Sequence, residues 1–464
     1  MLSRLYQSNR PESRSQTWLT SAVLFALVAV LAVMMGRGIA TQNYLFPVFA
    51  LTLPLGVLAL RAPYQGLALA LALFFLYPSQ QFSSPIPFFD SPLMLLASLL
   101  VADGIFKIVL FHETSSRSPV YVPMLMWAGM LILFVVVQHG NRVATSAQGY
   151  LQGMWTFAVV ILTIKTPRQA AVALIAFYVA LIILVVRALP AALSSEALTF
   201  EQQVVVQDLR VETGVNFHLP QMAALAWPVL FSLAISSKIP SKLRIMSILL
   251  VAAITILIIS SGFGTPYITL IAAFVTLVGY QVIFRRTGSI WQTVLIGAVM
   301  FFVLFNTGGA VAQLQRIGNP QDASVQGRLD AMGPGLEAFL ERPIMGWGDY
   351  KPNDAPEGVF VYSGHNSFLE IAVRYGLLGL APVIFMFGTI GRSIFQLSRK
   401  PLRPVDQALV NGTLATSVAY VIQGMISVSI GIITWDTVFW FFIGLNILWL
   451  YWIDTGKFET LVEL

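Results

Sequence analysis

Long apolar runs alternate with short polar intervals along this chain, and most of the runs have the length a helix needs to cross about 30 Å of hydrocarbon. Lipid offers no partner to backbone N–H and C=O groups, so each run predicts a helix, which satisfies them internally. The runs are 17–35, 44–60, 66–77, 92–111, 121–138, 150–164 and 170–189, then 222–235, 243–260, 267–284 and 291–311, and finally 368–390, 408–428 and 433–452. They predict an all-α polytopic membrane protein with about 14 spans, or about 12 if the short runs 66–77 and 222–235 are merged with their neighbours. No internal repeat or low-complexity tract divides residues 1–464, which read as a single membrane domain.

Two polar intervals are longer than turns, 190–221 and 312–366. Lipid-facing helices need no such insertions, so the two loops are expected to meet at an external site. Within the second, 326–340 predicts a short helix lying on the membrane surface. Arg342-Pro343 ends it, because proline removes a donor and clashes with the preceding turn. Gly346-Trp347-Gly348-Asp349 reads as a turn leading into a polar loop that reaches Gly358.

Composition agrees: 57% of residues are hydrophobic, 10% are charged and mean hydropathy is +0.78. Soluble domains carry charge on about a quarter of their residues. The absence of cysteine excludes disulfides and thiolate chemistry. His112, His139, His218 and His365 are too dispersed for a metal motif, so neither a metal nor a cofactor is expected.

The net charge of +6 is explained by basic cytoplasmic loops, which makes membrane lipids, and not nucleic acid, the expected surroundings. With the N-terminus inside, about two thirds of the 27 Lys and Arg residues fall on the cytoplasmic side. That orientation predicts both termini in the cytoplasm and loops 190–221 and 312–366 outside. The run after Arg4, Arg10 and Arg14 is long enough to span and lacks a small-residue cleavage site, so it reads as a retained first helix.

Charged residues gather in 327–380, where chemistry is expected. His365, in Ser363-Gly364-His365-Asn366-Ser367, stands at the mouth of the helix that begins near Phe368, and Asn366 or Ser367 can cap that helix. A neutral imidazole there suits a general base; the other reading is membership in an interfacial hydrogen-bond network. Arg210 and Arg328 stand near predicted helix ends on the outer side. A guanidinium can grip a phosphate through two parallel hydrogen bonds, or each can pair with a neighbouring carboxylate, Glu212 or Asp330. Arg374 lies inside an apolar helix with Glu370 four residues before it on the same face. Such a pair either braces the helix or lines a watery site. Asp103 and Lys107 share that spacing near a cytoplasmic end and predict a snorkelling ion pair.

Four pieces in order, Gly327-Arg328-Leu329, Arg342-Pro343-Ile344-Met345-Gly346-Trp347-Gly348, His365-Asn366-Ser367-Phe368-Leu369-Glu370 and Tyr375-Gly376-Leu377-Leu378-Gly379-Leu380, resemble the O-antigen ligase and polymerase family of bacterial membrane glycosyltransferases. The resemblance covers 210–380. Upstream, Arg210 to Pro220 is similar to the family's arginine segment and its Asn-Pro-Asn element, here loosened to Asn216 and Pro220. Phe263 stands where many members carry an arginine.

The resemblance implies transfer of a glycan from an undecaprenyl diphosphate carrier to a lipid or glycan acceptor hydroxyl, on the external side of the bacterial plasma membrane. It implies His365 as base and Arg328 and Arg210 as the diphosphate grip, with Asn366, Arg342, Glu370 and Arg374 lining the substrate site, and no metal or cofactor. Polymerase and ligase remain equal readings. The alternative from another class is a polysaccharide or lipid-carrier flippase, which would be expected to show pseudo-repeats and midplane charges.

Overall fold

The computed structural model describes residues 63–76, 92–111, 118–138, 143–193, 218–261, 264–283, 294–299, 323–348, 366–427 and 433–456, with a few isolated positions besides. Every regular element among them is a helix: α1 (Pro63–Leu76), α2 (Pro92–Phe111), α3 (Tyr121–Gln138), α4 (Val143–Thr163), α5 (Pro167–Leu193), α6 (His218–Ile235), α7 (Ser241–Ser261), α8 (Gly264–Ile283), α9 (Ala323–Glu341), α10 (Ser367–Ser398), α11 (Pro404–Ile426) and α12 (Ile433–Asp454). Six of them carry a stretch long and apolar enough to cross a membrane: α5, α7, α8, α10, α11 and α12. The runs predicted at 17–35, 44–60 and most of 291–311 lie outside the described residues.

At the centre stands α6, which packs against α7, α8, α11 and α12. Its sequence is apolar around its whole circumference, and Ala223, Ala224, Leu225, Ala226, Trp227, Val229 and Phe231 are fully buried. A helix of that character belongs in an interior. Its neighbour α11 comes close because Gly412 has no side chain: a Cβ there would lie 2.4 Å from the Cα of Val229. Small residues let helix backbones approach where packing, and not the hydrophobic effect, holds helices together. The joint between α4 and α12 is made the same way, by Gly153 against Asp436 and Gly444 against Val160.

These contacts fix which helix ends lie together. Gly153 meets Asp436 and Val160 meets Gly444, so α4 and α12 run parallel. The Thr416 hydroxyl donates to the Leu225 carbonyl at 2.9 Å while Gly412 meets Val229, so α6 and α11 run antiparallel. Lys400 pairs with Asp454, and the Tyr280 hydroxyl donates to the Ser398 carbonyl at 2.9 Å. One end of the bundle therefore gathers the turns carrying Lys165 and Arg168, Lys238 and Lys242, and Arg399, Lys400 and Arg403. The opposite end holds the starts of α6, α8, α10 and α12, and α9 packs there on α10. This separation is what an alternation of basic and non-basic loops predicts.

The helix expected at 326–340 is α9, ending at Glu341 just before Arg342-Pro343. Interval 190–221 shrinks, because α5 continues to Leu193 and α6 starts at His218. The helix expected at 368–390 reaches Ser398, with Arg392 exposed on its last turns. Asp103 and Lys107 form the expected ion pair, at 2.6 Å.

Candidate active site at the break in helix α10

Helix α10 is not continuous. At Gly376 the backbone adopts φ 62°, ψ −160°, which separates a short segment, 367–375, from the long spanning segment that follows. In an unbroken helix the N–H groups of Leu377 and Leu378 would donate to the carbonyls of Val373 and Arg374. Instead, Leu377 N–H donates to the Pro343 carbonyl (2.7 Å) and Leu378 N–H to the Ile344 carbonyl (3.2 Å). In exchange, Trp347 N–H donates to the Val373 carbonyl and Gly348 N–H to the Arg374 carbonyl, both at 2.8 Å. The segment Pro343–Gly348 thus replaces two missing helix bonds with four bonds of its own.

The glycines explain why this joint forms here. Gly346 (φ 67°), Gly348 (φ 75°) and Gly376 all occupy the left-handed half of φ, which costs a residue with a Cβ. A Cβ on Gly376 would lie 2.3 Å from the Ile344 carbonyl oxygen, and one on Gly346 would lie 2.5 Å from the Arg374 carbonyl oxygen. The two motifs Arg342–Gly348 and Tyr375–Leu380 are therefore two halves of one clasp. Trp347 reinforces it: its indole N–H donates to the Ala338 carbonyl at 2.7 Å, and the Arg342 guanidinium stacks 3.8 Å over its ring.

The short segment is also gripped from the bundle side. Tyr375 is fully buried among Trp127, Phe134 and Tyr150, with ring centroids 5.7, 5.2 and 6.1 Å away. At the segment's start, Asn366 Oδ1 accepts from the N–H groups of Phe368 and Leu369, both at 3.0 Å. Ser367 Oγ donates to the Ser427 carbonyl at 3.0 Å and accepts from Ile430 N–H at 3.2 Å, tying the segment to the α11–α12 connection. Between these anchors, Glu370 and Arg374 form an ion pair of 2.6 Å, with side chains 11% and 18% exposed. An ion pair this far out of water retains more of its field than a surface pair.

Of the residues singled out in the sequence, Arg342 stands in the clasp, Asn366 caps the short segment, and Glu370 and Arg374 pair within it. Asn366 serves as N-cap, so the first free donors of α10 are already engaged. Arg328 lies in α9, seven residues before Gly335, where a Cβ would touch Leu369 of the short segment at 3.0 Å. His365 and Arg210 lie outside the described residues, as does Phe263. Sequence reasoning missed Asp436, a buried carboxylate that accepts a hydrogen bond from the Tyr420 hydroxyl inside the bundle. Its only trace was an acidic residue near the start of an apolar run.

Fold and site together define an all-α polytopic membrane protein with a spliced helix at the end opposite the basic turns. Residues 248–384 match the family model described as O-antigen ligase. The match contains α9, both halves of the clasp and the segment with Glu370 and Arg374; Arg210 lies outside it. No curated protein matches the chain.

Proposed function

We propose that the protein transfers a glycan from an undecaprenyl diphosphate carrier to an acceptor hydroxyl, at the end of the bundle that carries α9 and the clasp. The observation that carries this reading is the clasp itself. It lies within the stretch that matches the O-antigen ligase family model and fixes Glu370 and Arg374 beside α9, the helix that bears Arg328. A loop that merely joined two spans would not need a helix to be cut and respliced for it.

In the proposed reaction the acceptor oxygen attacks the anomeric carbon. The bond from that carbon to the diphosphate oxygen breaks, and its electron pair leaves with the diphosphate. His365 takes the hydroxyl proton as the new bond forms. Arg328 and Arg210 hold the diphosphate and stabilise the charge that grows on it. Glu370 holds the Arg374 guanidinium in place, so that Arg374 and Arg342 line the donor's path. The site faces the external side of the bacterial plasma membrane, away from the basic turns.

The test is conversion of a polyprenyl diphosphate-linked glycan by the purified protein. Surface glycan ladders in ligase-deficient and in polymerase-deficient cells then distinguish a lipopolysaccharide-core acceptor from a second carrier-linked glycan. A sample that moves labelled carrier across vesicles and never forms a glycosidic bond overturns the proposal. Arg328→Lys is expected to lose most transfer although its charge is kept, because an ammonium cannot reproduce the planar two-pronged grip. Unchanged turnover and carrier affinity in that variant would make Arg328 an ordinary surface arginine.

A further inference from the structure

Helix α9 presents three different faces. With successive residues turned by about 100°, Met332, Leu336 and Leu340 share one sector, Gln326, Asp330, Glu337 and Glu341 a second, and Gly335 and Ala338 the third. The third sector is buried, against Leu369 and the Trp347 indole. The second is polar and exposed. The first is apolar and just as exposed: Leu336 and Leu340 show 52% and 63% of their surface, and Ile344, just beyond the helix, shows 64%. A helix touching only protein and water needs two kinds of face.

The apolar sector does not stop at the end of α9. Through the clasp, Ile344 is bonded to Leu378 of α10, where Leu377, Leu378, Ile384 and Phe385 form the exposed apolar stripe of a spanning helix. Depth can be read along that helix. From Ser398, beside the basic turn, back to Leu378 is 20 residues, about 30 Å of helix, which matches the hydrocarbon thickness. Leu377 and Leu378 therefore stand at the far edge of the hydrocarbon, and the clasp holds Ile344 at that edge.

We infer that α9 is an interfacial helix whose Met332, Leu336 and Leu340 face dips into the acyl chains of the bulk phospholipid leaflet, continuous with the lipid-facing stripe of α10. The acidic sector stays in water, as an amphipathic helix lying in the interface requires. The helix then sets the depth of the short segment of α10, one turn above the hydrocarbon. This inference concerns the membrane and holds whether or not the protein transfers glycans.

The chain has no cysteine, so single-site labelling needs no background removal. Full-length Leu336→Cys, Leu340→Cys and Glu337→Cys, each carrying an environment-sensitive fluorophore in phospholipid nanodiscs, are probed with spin-labelled phospholipid and with aqueous iodide. The expected result is that labels at 336 and 340 emit to the blue, lose most of their emission to spin-labelled lipid and ignore iodide. The label at 337 should do the reverse. Iodide quenching at all three positions overturns the inference by showing the face in water. Resistance of 336 and 340 to both quenchers overturns it too, because the face is then covered by protein, such as a second copy of the chain. Cys at these exposed positions leaves the buried sector of α9 intact, which keeps the outcome readable.

Discussion

Replacing His365 with alanine is expected to abolish glycan transfer while the protein still inserts and accumulates at the normal level. General-base catalysis contributes about two to four orders of magnitude in rate, and the resemblance gives His365 that role. Packing gives no reason to expect collapse. The N-cap of α10 is made by Asn366, the anchor to the α11–α12 connection by Ser367, and the aromatic contacts of the short segment by Tyr375. The role proposed for the imidazole is to take a proton. Turnover of a carrier-linked glycan by the purified variant, together with its membrane level, checks this. Near-normal turnover would remove His365 from the chemistry.

The second large effect is expected from Gly376→Ala, and it separates activity from stability. Alanine is strongly disfavoured at φ 62°, ψ −160°, and its Cβ would collide with the Ile344 carbonyl, whereas alanine favours a helix. The variant is expected to straighten α10, with Leu377 and Leu378 N–H returning to the Val373 and Arg374 carbonyls. Two helix bonds then replace four clasp bonds. The freed groups of Pro343, Ile344, Trp347 and Gly348 go to water, so at about 1 kcal/mol per net hydrogen bond the loss of stability is modest. The loss of transfer should not be. Straightening turns the Glu370–Arg374 segment away from α9 and releases Trp347 from its place.

Hydrogen exchange reads this directly: amides of Trp347 and Gly348 should lose protection while those of Leu377 and Leu378 keep it. Gly388→Ala, in the spanning segment with open space around its Cα, serves as the control and should keep both activity and protection. A Gly376→Ala enzyme that exchanges and turns over like the parent would show that the clasp positions nothing.

The spans were legible because lipid imposes one rule on every backbone group, and runs such as 170–189 and 243–260 carry that rule openly. Helix α9 was legible for a different reason: Arg342-Pro343 supplies its stop. The clasp was not legible. Gly346-Trp347-Gly348 reads locally as a turn and Tyr375-Gly376 as the interior of an apolar helix, since a single glycine is tolerated in one. That each is the other's missing hydrogen-bond partner is information held between segments some 30 residues apart, which no local period contains. Glu370 and Arg374 fell in between. Their spacing predicted a pair, and only the structure fixes the pair beside the clasp and α9.

The proposal that the clasp end receives the lipid diphosphate is tested most directly by photo-crosslinking. A polyprenyl diphosphate probe with a photoreactive group beside its phosphates is irradiated with the full-length protein in nanodiscs, and the adducts are mapped by peptide. The account predicts adducts in the peptides that carry Arg328 of α9 and Asn366 to Tyr375 of α10, competed away by unlabelled carrier. Adducts confined to the basic end, in the turns around Lys238 or Arg403, would contradict it.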